Sequence, residues 1–121
     1  MRPSQIFVRL RFSDIANKGW VVGSQQPKGS DRYSERIQIG FNQSDEPWVD
    51  DAPHLHTDSE EWYIVLRGSL KIRVGGQVVS VGPREVLGVK ANTPHRIIGG
   101  EGPIEEFSVR TPSIQDKVGL G

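Results

Sequence analysis

The segment HLHTDSEEWYIVLRG, from His54 to Gly68, concentrates the groups most able to do chemistry. His54 and His56 are two positions apart, so on an extended strand both imidazoles point to the same face. A short polar turn, Thr57 to Glu60, follows, and the chain then returns as a strand led by Glu61. That arrangement carries one carboxylate back to two imidazoles. The third histidine, His95, lies in VKANTPHRI, after a further turn. Three imidazole nitrogens and a carboxylate oxygen suit Mn, Fe, Co, Ni or Zn. There are no cysteines, which excludes disulfides, thiolate nucleophiles and sulfur-ligated zinc. A single histidine would pass as an ordinary surface or core residue; the placement of these three points to a site.

Short strands must position these groups. Alternation with period two recurs along the chain, and no convincing amphipathic helix is present. In Ser34 to Asn42, Ile37, Ile39 and Phe41 point one way, while Arg36, Gln38 and Gly40 point the other. Glu61 to Leu66 is apolar on both faces after its first residue, as a strand between two layers would be. Leu70 to Val74 and Gln77 to Val81 flank Gly75-Gly76, which predicts a tight hairpin. Further strands are expected at Gly19–Gly23, Glu85–Val89, Pro94–Ile98 and Ile104–Arg110. Ser13 to Lys18 is expected to make a turn that Gly19 ends. Gln25–Arg32 and Asn42–Pro53 read as loops, and Gly119 to Gly121 as a frayed end. Eight or so strands with no helical crossover predict an all-β antiparallel two-layer sandwich or jelly roll.

The length of 121 residues is one domain's worth and enough for a modest core without staples. Glycine and proline number 14 and 8, about 18% of the chain against a usual level of about 12%. They fall between apolar stretches, as turn punctuation does. Lys plus Arg and Asp plus Glu are both 15. This balance argues against nucleic acid and against a charged membrane surface as partners, since both need a basic excess. No stretch approaches the roughly 20 apolar residues of a spanning helix. The opening residues lack the apolar block of a secretory leader, so a cytoplasmic location is expected.

With these residues in view, the segment resembles the first motif of the cupin superfamily. That motif has two histidines one residue apart, a glutamate, six residues, then a glycine, matched by His54, His56, Glu61 and Gly68. Val81 to His95 is similar to the second motif, which runs through a turn into a Pro-His step. The resemblance covers roughly Glu35 to Arg110. It implies a small single-domain cupin over residues 1–121, with a double-stranded β-helix barrel over about 35–110. Some positions depart from the pattern: Trp48 stands where the first motif begins with glycine, Arg84-Glu85 where Gly-Asp is common, and Lys90, Asn92 and Gly99 where proline, glycine and asparagine are usual. None of them is a ligand, and asparagine tolerates the left-handed conformation well.

The resemblance implies one divalent metal ion per chain (Mn, Fe, Ni, Co or Zn), held by His54, His56, Glu61 and His95. It selects Glu61 over Glu60, since Glu61 is seven before Gly68; Glu60 is expected in a solvated turn with Asp58. Tyr63 and Val65 share the face of Glu61 and should line the cavity, with Tyr63 a candidate proton donor. Ile97 shares the face of His95, and Phe107 is a further lining candidate. Arg36 and Gln38 would face solvent in an ordinary sandwich and a wet cavity in a cupin. Arg110 is either an anchor for an anionic substrate or a solvated strand end. Trp62, Ile64 and Leu66 face away, towards another layer or a second subunit, which predicts a homodimer.

Cupins with this ligand set include oxalate decarboxylases, dioxygenases, sugar-phosphate isomerases, lyases and proteins that bind a small ligand. Fold alone does not select among them. The expectation is a metal-dependent enzyme acting on a small oxygenated substrate: a carboxylate, oxo acid or sugar derivative coordinated directly to the metal, which serves as Lewis acid or as platform for dioxygen. The alternative is a non-catalytic binding or sensing module. Without a helix-turn-helix or basic patch, a sensor would act through a separate partner. Length and composition speak against a seed-storage protein.

Overall fold

The computed structural model describes residues 7–15, 19–50 and 52–120. It contains eight strands: β1 (Gly19–Val22), β2 (Gln38–Ser44), β3 (His54–His56), β4 (Glu60–Val74), β5 (Gln77–Val81), β6 (Glu85–Val89), β7 (His95–Thr111) and β8 (Lys117–Gly119). All the strand pairs are antiparallel. The expected early turn is a single 3-10 turn at Phe12–Asp14; residues 16–18 lie outside the described residues. Among the described residues no helix is long and apolar enough to cross a membrane.

Two pairs of expected strands are single long ones. β4 and β7 pair along nearly their whole lengths, from Glu60 opposite Thr111 to Val74 opposite His95. The first half of β4 also pairs with β6, and its second half with β5. The second half of β7 pairs with β2, while His95 pairs with β3. The two long strands therefore run through both layers and join them into a roll. Gly68 sits where β4 turns from one layer to the other. Its φ is +76°, and a Cβ there would lie 2.5 Å from the Pro103 carbonyl oxygen and 2.7 Å from that of Glu101. Only glycine fits such a position without displacing backbone. The Gly75-Gly76 hairpin forms as expected, closed by Val74 opposite Gln77.

The core lies between the layers and comprises Tyr63, Val65, Leu70, Ile72, Val81, Val89, Ile97 and Ile104. Each such aliphatic side chain contributes about 1.5–3 kcal/mol when fully buried. A second apolar cluster lies outside the roll. Phe41 and Phe107 stand side by side on the outer face of β2 and β7, centroids 5.1 Å apart, and Phe12 caps both at 4.9 and 5.5 Å. The apolar face of β2 is thus covered by the N-terminal segment, and its polar face looks inward.

Among the described residues no further layer covers the outer face of β4. Trp62 lies flat over Gly88 of β6, where a Cβ would come within 2.5 Å of the ring. Lys90 sits 5.3 Å above that ring, and the indole N–H donates to Glu60 at 3.0 Å. Glu60 is therefore the first residue of β4, tied to this outer surface, and not part of the turn. Leu66 is exposed. The expected fraying is corrected for Gly119 and Leu120: Lys117–Gly119 pairs with β3, and the Leu120 N–H donates to the Pro53 carbonyl, while Gly121 lies outside the described residues.

Candidate metal centre

β3 lies between β7 and β8, with His54 directly opposite His95. Strand periodicity puts His56 on the same face as His54. Glu61 arrives from the start of β4. One donor atom from each of His54, His56, Glu61 and His95 lies within 4.8 Å of every other. His95 Nε2 is 3.0 Å and His56 Nε2 3.5 Å from the same oxygen, Glu61 Oε1. All three histidines are buried.

The β3–β4 turn that sets the spacing between His56 and Glu61 hangs from Asp116, in the link between β7 and β8. Asp116 accepts the backbone N–H of Asp58 (2.9 Å) and of Ser59 (2.7 Å), and the Ser59 hydroxyl at 2.8 Å. Its other oxygen pairs with Arg110 at 2.8 Å and lies 3.5 Å from His56 Nδ1. Arg110 also donates to Gln38 Oε1 and to the Ile114 carbonyl. It is buried and held by these partners, not a solvated strand end, and it forms part of the cavity wall. Asp50 holds the β2–β3 loop down on β7, exchanging hydrogen bonds with the N–H and carbonyl of Ile97. Asn92, where the family prefers glycine, adopts φ +60°, and Arg84 adopts +66°. Both keep the glycine-like backbone of the motif at a modest local cost.

The donor set passes a chemical test for a cation. His95 Nδ1 lies 2.9 Å from the Thr93 carbonyl oxygen, which can only accept, so Nδ1 carries the hydrogen. That leaves the Nε2 lone pair facing a carboxylate oxygen, an arrangement that requires positive charge between them: a proton or a metal ion. Ligand atoms about 2.1 Å from a shared ion stand about 3.0 Å apart at right angles and about 3.4 Å apart at the tetrahedral angle. The two contacts to Glu61 match these separations. The electrostatics point the same way. Burial alone would raise Glu61, but hydrogen bonds and charge from His56 and His95 outweigh it and hold the carboxyl well below its usual range. Burial lowers His95, yet its bonds to Glu61 and Thr93 bring it above the ordinary histidine value. Burial, with His95 and Lys117 nearby, lowers His54.

The cluster opens onto a cavity of about 340 Å³. Gln38, Tyr63 and Ile97 line it, together with Trp20, Gln25, Asn42, Trp48, Asp50, Ser108 and Lys117. Three expected lining residues are elsewhere. Arg36 precedes β2 and is exposed. Val65 is fully buried in the core. Phe107 is on the outside of the roll against Phe12, because the inward set of β7 is Ile104, Glu106, Ser108 and Arg110. Tyr63 donates its hydroxyl to Glu61 Oε1 at 2.9 Å, and burial together with the Glu61 charge raises its pKa well above the ordinary tyrosine value.

Sequence reasoning missed Glu106, Ser108, Asn42, Asp50 and Asp116. For Glu106 and Ser108 the signal was present: a strand whose face carries Ile104 and Arg110 carries these two between them. Asp116 had none, since it lies 55 or more residues from the turn it holds.

A family model described as "Cupin domain" matches residues 43–109. Among proteins of curated function, none matches the sequence. Several solved structures share the fold. An uncharacterized conserved protein with a double-stranded beta-helix domain from Klebsiella pneumoniae has a TM-score of 0.66 at 17% identity, covering 98% of each chain. Streptomyces PAC13 with uridine has a TM-score of 0.63 at 14% identity, covering 73% of this chain and 71% of that one; Pac13 is described as a nucleoside dehydratase. KdgF from Halomonas sp. has a TM-score of 0.57 at 16% identity, covering 65% and 72%. The matched motif residues, the roll and the converging histidines agree, and the chain belongs to the cupin domain family.

Proposed function

We propose that this cupin is a metal-dependent enzyme acting on a small oxygenated substrate, with a divalent ion held by His54, His56, Glu61 and His95. One observation carries the reading: four donor atoms converge beside an open cavity, and one imidazole lone pair is aimed at a carboxylate oxygen. When bound, the ion supplies Lewis-acid polarisation of a substrate oxygen. Four protein ligands leave about two positions of a six-coordinate ion for substrate, whereas a structural site is closed. The protein's own part is to fix the ligands through Asp116 and Thr93 and to present Gln38, Asn42 and Ser108 to substrate hydroxyl or carbonyl groups. Trp20 and Trp48 add flat apolar surface to the same cavity. A cavity of this size suits a single sugar, nucleoside or small acid. The similar structure bound to uridine supports the same ligand class. The outward residues Ile64, Leu66 and Val86 would form the pairing face of a homodimer.

Elemental analysis after mild purification should find about one first-row divalent ion per chain. Metal-stripped protein is then reloaded with Mn, Fe, Co, Ni or Zn in turn. It is screened aerobically and anaerobically against hydroxy-, oxo- and dicarboxylic acids, sugar derivatives and nucleosides. Turnover restored by one metal and abolished in His95→Ala supports the proposal. Protein that takes up no metal at neutral pH refutes it. Metal-dependent ligand binding with no product under any condition assigns the chain to the binding modules instead.

A further inference from the structure

Glu106 is fully buried in the wall of the roll. Among the described residues no cationic side chain pairs with it. Its partners are neutral: the Ser108 hydroxyl, 2.5 and 3.1 Å from the two carboxyl oxygens, and the Asn42 side chain. A buried carboxylate without a cation is costly, and the group relieves that cost by keeping its proton. Ser108 is not sealed off. It lines the cavity that holds Glu61, opposite Tyr63 across the β4–β7 ladder.

We propose that Glu106 and Ser108 form a proton relay that opens onto the cavity facing the metal ligands, with Glu106 holding the proton and Ser108 delivering it. The inference rests on the function proposed above, since the proton's destination is a ligand oxygen in that cavity. With Glu106 protonated, its O–H donates to Ser108 Oγ, and the serine hydrogen is free to point at the ligand. In the transfer, the ligand oxygen forms a bond to the serine hydrogen with its own lone pair. Ser108 Oγ takes the Glu106 proton as that hydrogen leaves, and the electron pair stays on the Glu106 carboxylate. One proton has moved to the ligand, and Ser108 is unchanged.

The groups facing Glu106 favour this state. β4 brings Glu61, whose negative charge opposes a second one, together with Tyr63 and the apolar Val65. β2 brings the uncharged Asn42 and Gln38. On β7 itself, Arg110 is engaged by Asp116. Burial and the Glu61 charge, against the hydrogen bonds from Ser108 and Asn42, push the Glu106 pKa up to about 7, near the value suited to acid–base work at neutral pH. Glu106 acts through Ser108, so the decisive readout is the proton itself.

Infrared difference spectra of the native protein, E106Q and S108A test the relay, with the metal content of every sample measured by elemental analysis. Native protein at a pH of about 6 should show a protonated-carboxyl band that E106Q lacks and that disappears by a pH of about 8.5. In heavy water the band should shift on mixing, and in S108A that shift should slow by about tenfold or more with metal content unchanged. No band distinguishing native protein from E106Q, or exchange equally fast in S108A, overturns the relay. Should E106Q fail to fold by circular dichroism, the same band followed in native protein carrying labelled glutamate carboxyls decides the question. Absence of metal with the band intact would sink the proposed function and leave the proton-holding pair standing.

Discussion

Glu106→Gln should change how stability depends on pH, by an amount the structure sets. The native carboxyl titrates near 7 against an ordinary value of 4.5, a difference of about 2.5. At about 1.4 kcal/mol for each pH unit, this is about 3–4 kcal/mol. The sign follows from where the proton sits. Below about 4.5 both folded and unfolded chains hold it, and this group's contribution to stability is fully present. Between about 4.5 and 7 the unfolded chain releases the proton and the native one does not, so stability falls steadily. Above about 7 both are ionised and the loss is complete. Glutamine has the shape of the protonated acid and does not titrate. Urea unfolding of both proteins, metal-free in chelator, from a pH of about 4 to about 9 gives the difference between them, in which other titrating groups largely cancel. E106Q should gain on the native protein by about 3–4 kcal/mol across that window, and the difference should be flat on either side. A difference that does not change between pH 4.5 and 7 would refute the reasoning; so would one that moves in favour of the native protein.

Other consequences are testable more simply. Glu61→Gln should weaken metal binding by about tenfold or more in a calorimetric titration, while Glu60→Gln, on the outer surface beside Trp62, should leave it unchanged. Because imidazoles must be neutral to ligate, metal occupancy measured by equilibrium dialysis should fall as pH drops below about 6.5. Gly68→Ala forces a Cβ to within 2.7 Å of two carbonyl oxygens at a positive φ; a loss of about 1–3 kcal/mol in chemical denaturation is expected. Sedimentation at micromolar concentration should find a dimer of the 13.5 kDa chain, and replacing Leu66 and Val86 together with lysine should return it to monomer.

Much of the site was legible because its determinants are local. Strand periodicity puts His54 and His56 on one face whatever surrounds them, and a short polar turn can only return the chain beside them. Gly75-Gly76 commits its flanks to a hairpin, and Gly68 carries a bend that residues with a Cβ could not make. Asn92 keeps the turn before His95 without the usual glycine, because its backbone reaches the same positive φ. These features depend on neighbours a few residues away, so the sequence displays them directly.

What the sequence by itself determined is therefore the alternation of strands and turns; the four residues His54, His56, Glu61 and His95, which the motif resemblance implies, are a cluster that the fold brings together. Alternation separates two faces of a strand but does not say which one is inside. In β2 and β7 the apolar faces, with Phe41 and Phe107, turn outward because Phe12 and the N-terminal segment cover them. The polar faces then turn inward: Gln38, Asn42 and Ser108 line the cavity and Glu106 is buried in its wall, while Phe107, on the other face, and Arg36, ahead of β2, fall outside it. The joining of paired strands into the long β4 and β7, the closure of β8 on β3, and the link from Asp116 to the turn between His56 and Glu61 all join residues far apart in the chain. Only tertiary structure decides such contacts, because their free energy comes from burying groups together, and nothing in either segment alone records the partner.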